Sequence, residues 1–165
     1  MEFKHVATGL ALLSSACFVC PAVHAEENII KDPNRHPHYV FEAEPHFLLA
    51  PLGGPLPGVG FRGTVVLLPE GFIDKINDSV GLGFGADWTQ DNTWVPIVLQ
   101  WNFWLSEHWS VFGEPGAAFH LEDRGRRTRG DFTIYGGGRL RFSERVTLTL
   151  RVGHPAFAAG FSFLL

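Results

Sequence analysis

The stretch Trp94-Val-Pro-Ile-Val-Leu-Gln-Trp-Asn-Phe-Trp104 decides the fold. Val95, Ile97, Leu99, Trp101 and Phe103 fall on one side of an extended chain. Pro96, Val98, Gln100 and Asn102 fall on the other. Successive side chains of a strand point to opposite faces, so a period of two reads as a strand with one apolar face. The pattern returns with Phe132, Ile134, Gly136, Gly138, Leu140 and Phe142 against Thr133, Tyr135, Gly137, Arg139 and Arg141. It is sharpest where Val146, Leu148, Leu150 and Val152 alternate with Arg145, Thr147, Thr149 and Arg151.

Outward from these, the same reading gives eight extended segments: 38–50, 58–68, 79–88, 94–104, 109–121, 131–142, 145–153 and 156–165. The connections 51–57, 89–93, 105–108, 122–130, 143–144 and 154–155 are short and rich in turn residues, as hairpins require. The 69–78 link is longer and has room for a helical turn. Eight antiparallel strands joined this way can close into an up-and-down barrel.

The chain has 165 residues, 45% hydrophobic and 18% charged, with five Trp and fifteen Phe. That length suits one domain, and that composition excludes disorder. A net charge of −4 argues against nucleic-acid binding. The start, MEFKHVATGLALLSSACFVCPAVHA, has a weakly basic head, an apolar run from Val6 to Val19, and small residues Val23 and Ala25 before a cut after Ala25. It reads as a secretory signal peptide over 1–25, too short for a membrane-spanning helix. Both cysteines, Cys17 and Cys20, lie in it, so no disulfide framework follows. Ser14 stands where a lipoprotein signal would carry leucine, which argues against lipidation of Cys17. Residues 26–37 are polar and Pro-containing and read as a flexible leader before a barrel domain over 38–165.

Which way the apolar face points separates a lipocalin-like barrel from a membrane barrel. Three features favour outward. The second face collects Glu42, Glu44, Arg62, Thr64, Asp87, Gln100, Asn102, Glu114, Arg139, Thr147, Thr149 and Arg151. Its acids Glu42, Glu44, Asp87 and Glu114 balance Arg62, Arg139 and Arg151 closely enough for mutual pairing inside a barrel just filled by side chains. Gly81, Gly83 and Gly85 share the face of Asp87 and make room there for long Arg and Glu side chains. Aromatics gather at strand ends: Trp88 and Trp94 beside the 89–93 loop, Trp104 and Trp109 beside the 105–108 turn. Trp favours the membrane–water boundary, so these four are candidate interface anchors. The last segment alternates apolar residues up to Leu165, and a free edge there would leave backbone groups unpaired unless it meets the first strand.

The signal peptide, the eight alternating segments and the terminal Phe161-x-Phe163-x-Leu165 together resemble the small outer-membrane β-barrel proteins of the OmpA/OmpX-like class. The resemblance implies an all-β, eight-stranded antiparallel transmembrane barrel in a Gram-negative cell outer membrane. It also implies that the C-terminal strand is read by the barrel-assembly machinery. Residues 51–57, 89–93, 122–130 and 154–155 would face outward. Arg124, Arg126, Arg127 and Arg129 in the 122–130 loop could pair with lipopolysaccharide phosphates, because guanidinium matches phosphate oxygens bidentately.

No catalytic constellation stands out. There is no H-E-x-x-H, G-x-S-x-G, P-loop or EF-hand pattern. His36-x-His38 offers two imidazoles, and a zinc site needs further ligands, so a solvated tail is the simpler reading. His120 and Glu122 share a strand face and read as a rim pair without chemistry. No serine lies two residues from a strand histidine, which argues against lipid hydrolysis of the His/Ser type. The sequence therefore points to a non-enzymatic membrane barrel with a structural or interaction role, with no metal or cofactor. The other readings are a soluble exported lipocalin-like barrel holding a small apolar ligand, and a narrow pore.

Overall fold

The computed structural model describes residues 26–50, 56–90, 92–122 and 128–165. The candidate signal segment with Cys17, and the loop arginines Arg124, Arg126 and Arg127, lie outside them.

Eight strands follow in chain order: β1 Phe41–Ala50, β2 Leu56–Leu68, β3 Asp78–Thr89, β4 Asn92–Trp104, β5 Trp109–Glu122, β6 Thr128–Arg141, β7 Val146–His154 and β8 Phe157–Leu164. Each pairs antiparallel with its neighbour, and β1 pairs with β8, so the sheet closes on itself. The expected fold class is borne out. Closure removes the free edge that the alternating last segment would otherwise present. The long β2–β3 connection forms hydrogen-bonded turns, Gly71 N to Leu68 O and Ile76 N to Ile73 O, rather than a helix.

The ladder is interrupted at three prolines. Glu44 and Pro45 are skipped in the β1–β8 pairing. Pro96 falls in a gap of the β3–β4 pairing, and Pro115 in one of the β4–β5 pairing. Proline has no N–H to donate. Strong pairing on either side of each gap holds the wall together.

Alternation now has a direction. Phe47, Phe132 and Phe142 are 76%, 70% and 60% exposed on the outer wall. Val59, Phe84, Ile97, Val111, Leu150 and Phe161 are exposed there too, so every strand contributes to an apolar outer surface. The opposite face of every strand is inside.

The two ends differ. At the near end, where β1 starts and β8 finishes, residues 26–40 are not a loose leader. Ile29 is fully buried. Its N–H donates to Leu105 O (3.0 Å), and Asn77 N donates to Ile30 O (2.8 Å). The segment is a cap, and the expectation of flexibility for 26–37 is corrected. An apolar residue at position 29 and matching backbone partners on the β2–β3 and β4–β5 turns give the polar segment a fixed seat. At the far end the interior turns apolar: Leu48, Ala50 and Ala156 cluster, with Trp94 and Ala158 packed against them.

Candidate functional site

The barrel interior between these ends is a charged network. Arg151 on β7 is its hub. Its Nη1 and Nη2 donate to Glu44 Oε1 and Oε2 at 2.6 and 3.1 Å. Its Nε and Nη2 donate to Glu114 Oε2 and Oε1 at 2.9 and 3.1 Å. One guanidinium thus holds two carboxylates, each bidentately, which is the geometry that suits arginine. Arg62 Nη1 reaches Glu114 (3.3 Å) and Nη2 reaches Asp87 (3.4 Å). His46 Nε2 lies 2.8 Å from Asp87 Oδ1, and its Nδ1 is 3.4 Å from Glu44. The contacts close a ring: Arg151, Glu44, His46, Asp87, Arg62, Glu114 and back. The ring draws on β1, β2, β3, β5 and β7.

Nearer the cap, Arg139 donates to Glu42 and to Asn102, both at 2.8 Å. Gln100 links this branch to the ring. With its amide nitrogen turned to Glu114 (3.0 Å) and Thr64 (2.9 Å), its oxygen accepts from Arg139 Nη2 (2.8 Å). That orientation satisfies both ends of the amide. Phe112 supports the branch point. Arg139 lies over its ring at 4.6 Å and Arg151 at 5.3 Å. Gly137 on the neighbouring strand makes room for that ring, since a Cβ there would collide with it.

All seven charged side chains expected in the interior, Glu42, Glu44, Arg62, Asp87, Glu114, Arg139 and Arg151, are at most 3% exposed and are joined by these contacts. Four carboxylates face three guanidinium groups, and among the described residues His46 is the one further group there that can carry positive charge. His46 shares the phase of Glu42 and Glu44 on β1, so alternation alone points to it. Phe112 shares the phase of Glu114 in the same way. The inner glycines do a different job from the one expected. Cβ atoms at Gly81 and Gly83 would press on Thr64 and Val98, at 2.7 and 2.8 Å, rather than on Arg or Glu side chains.

The four candidate interface tryptophans divide. Trp88 and Trp109 stand on the outer wall, 45% and 51% exposed, at opposite ends of the barrel. Trp94 and Trp104 do not. They share the phase of Gln100 and Asn102 and turn inward. Trp104 is buried and Trp94 stacks on His120 with centroids 5.4 Å apart. The strand runs without a break to both residues, so proximity to a loop did not override the alternation.

The near-end cap reuses the same chemistry at the surface. Arg35 pairs with Glu27 (2.7 Å), Asp32 (3.3 Å) and Glu107 (3.4 Å). Glu26 bonds His108 and Ser106. His36 is no solvated tail: it stacks on Trp104 at 5.5 Å and bonds Asn77 Oδ1 at 2.7 Å. Burial holds its imidazole below the ordinary histidine range, against the opposing pull of the Asn77 bond. Hydrogen bonding from His108 and Ser106 lowers the Glu26 carboxyl, and Arg35 lowers that of Glu27. Burial pushes the Tyr39 hydroxyl well up.

His120 Nε2 bonds Asn92 Oδ1 at 2.7 Å, while the side chain of Glu122 lies outside those described. Arg129 pairs with Asp131 at 2.8 Å on the surface. Among the described residues, no three His, Cys, Asp or Glu side chains are grouped to hold a metal.

No protein-family model matches the chain, and no curated protein matches it by sequence. Solved structures do. A de novo designed transmembrane β-barrel aligns with a TM-score of 0.59 and 12% identity, covering 76% of this chain and 94% of its own. A second de novo design, solved by solution NMR, gives 0.58 and 12%, covering 77% and 94%. The outer membrane protein Ail of Yersinia pestis gives 0.50 and 10%, covering 78% and 100%. The fold is that of the small eight-stranded transmembrane barrels. At these identities the likeness concerns the fold alone.

Proposed function

We propose that the protein is an integral outer-membrane barrel without enzymatic activity, whose work is structural or interaction-based and whose polar interior acts as a permanent plug. The observation that carries this reading is the inversion of the barrel. Phe, Leu, Ile and Val cover the outside on all eight strands, while arginines and carboxylates meet inside. A soluble lipocalin-like barrel needs the reverse. Export through residues 1–25, recognition of the last strand by the barrel-assembly machinery, and pairing of Arg124, Arg126, Arg127 and Arg129 with lipopolysaccharide phosphates belong to the same proposal. A narrow pore fits less well, because Arg62, Arg139 and Arg151 are fully packed across the bore. Residues 26–40 cover one mouth in addition.

Membrane fractionation tests the reading. The protein is expected to resist carbonate and to leave the outer membrane only with detergent. A freely soluble periplasmic protein would defeat it. Planar-bilayer recordings are expected to show no discrete conductance.

A further inference from the structure

Seven arginines lie among the described residues, and five of them are in ion pairs: Arg35, Arg62, Arg129, Arg139 and Arg151. The other two, Arg141 and Arg145, make no ion pair among the described residues, and both line the same recess. It lies at the near end, beside the cap, and measures about 610 Å³. Pro37, His38 and Tyr39 form one wall, the β6–β7 turn with Arg141, Glu144 and Arg145 a second, and Leu164 and Leu165 a third. Glu144 makes no ion pair with either arginine among the described contacts, so the two guanidinium groups keep their donors for something else.

The setting narrows what that is. The recess opens where the apolar outer wall ends. Phe142, Phe163 and Leu165, exposed at 60%, 41% and 65%, stand beside it. Backbone bonds fix its frame: Leu164 N donates to Arg145 O (2.9 Å), and Val40 N to Leu165 O (2.9 Å). A ligand filling it meets two cations and an imidazole together with the aliphatic Pro37, Leu164 and Leu165, and a tail leaving it over the rim reaches the outer-wall side chains Phe142 and Phe163. Guanidinium groups bind phosphate oxygens through paired N–H donors.

We propose that this recess binds the phosphate of a phospholipid headgroup from the membrane leaflet at the near end, with the acyl chains lying along Phe142 and Phe163. Arg141 and Arg145 hold the phosphate, and His38 adds a donor. Glu144 takes any cationic group the headgroup carries. The inference rests on the membrane-barrel reading and goes beyond it by naming a lipid and the residues that select it.

The test uses the full chain in maltoside micelles, which contain no phosphate. Native mass spectrometry would compare retention of phosphatidylglycerol with that of a diacylglycerol of the same chains. Phosphatidylglycerol is expected to stay bound and diacylglycerol to be lost. The double variant Arg141→Gln/Arg145→Gln is expected to bind phosphatidylglycerol at least about tenfold more weakly, the loss of charge-assisted hydrogen bonds. Should the double variant fail to fold, Arg145→Gln alone, at an exposed turn, gives the same reading in smaller measure. Arg129→Gln at the far end is expected to bind as the parent does. Equal retention of the two lipids, or unchanged retention in the arginine variants, would overturn the proposal. So would displacement of the lipid by equimolar glycerol phosphate, which would mark a site for soluble phosphate instead. Flotation with phosphatidylglycerol vesicles separates the two readings. A chain that fails to float defeats the membrane reading, while one that floats without headgroup discrimination defeats only the lipid site.

Discussion

Arg151 and Arg35 have similar partners and opposite surroundings. Arg151 touches two carboxylates in the middle of the barrel, and all three side chains are at most 1% exposed. Arg35 touches two carboxylates of the cap and Glu107 of the β4–β5 turn, with its own side chain 39% exposed and its partners 50–69% exposed. At equal distances the Coulomb attraction scales inversely with the local dielectric, which is several-fold lower inside. Removing a buried partner also leaves its charges with no water to turn to. The same residue types therefore form a rigid filling in one place and a loosely held lid in the other. Burial sets the difference, and the strand framework sets burial.

The sharpest way to break the comparison is Arg151→Met. It leaves Glu44 without its guanidinium partner and Glu114 with only the longer Arg62 contact, and an orphaned buried charge of the Glu44 kind costs about 3–5 kcal/mol. Folding in detergent, followed by heat-modified gel migration and urea midpoint, is expected to fall accordingly. The counterpart Arg35→Met is expected to leave both readouts where they are. Equal effects of the two variants would remove the burial argument.

Gly137→Val comes next. Its side chain would enter the space of the Phe112 ring. Overpacking of this kind costs about 1–3 kcal/mol. Here the displaced ring also withdraws the face that Arg139 and Arg151 lie over. Gly136→Val, one residue away with only open space and a backbone oxygen at 3.8 Å near its Cβ, is expected to be tolerated. Unfolding midpoints of the pair should separate clearly.

Ile29→Ala moves the comparison to the cap. Ile29 is its one fully buried apolar anchor among the described residues. Truncating a buried isoleucine to alanine costs about 2 kcal/mol or more. That loss should appear as faster proteolysis within residues 26–40, with barrel unfolding unchanged. A matching drop in the barrel's own midpoint would mean that the cap and barrel are one cooperative unit.

The strands were legible because one chemical fact, alternation, recurs in every one of them. Phase alone carried Glu44, Arg62 and Arg151 to the interior. The same rule, applied to Trp94 and Trp104, turns them inward, and adjacency to a loop was the weaker signal. His46 was legible in principle, two residues after Glu44. The cap was not. Its residues have no period, and Ile29 is a single apolar side chain in a polar stretch. Its partners, among them Asn77 and Leu105, are all distant in sequence. The recess at Arg141 and Arg145 was hidden for a related reason. It joins the cap, one hairpin turn and the last strand, and no local pattern links three such segments.

The smallest effect, and the one that most sharpens the contrast, is the response of the cap to acid. His36 is buried as the neutral imidazole, with its pKa below the ordinary 6.5. The released cap binds a proton more readily than the seated one. Closure is therefore fully stable above about 6.5 and weakens as pH falls through the window below it, levelling off once the seated form also protonates. Glu26 and Glu27, held below the ordinary 4.5 by their partners, act in the same direction in a second window that begins near 4.5. The hydrogen-exchange protection of residues 26–40, taken relative to the intrinsic exchange rate at each pH, should thus fall in two steps on acidification. His36→Gln is expected to abolish the first step and keep the second. The level of protection will shift as well, because the stack on Trp104 changes, so the slope against pH is the quantity to compare. A first step that survives in His36→Gln would assign it to another group titrating in the same window and would overturn the role given to His36.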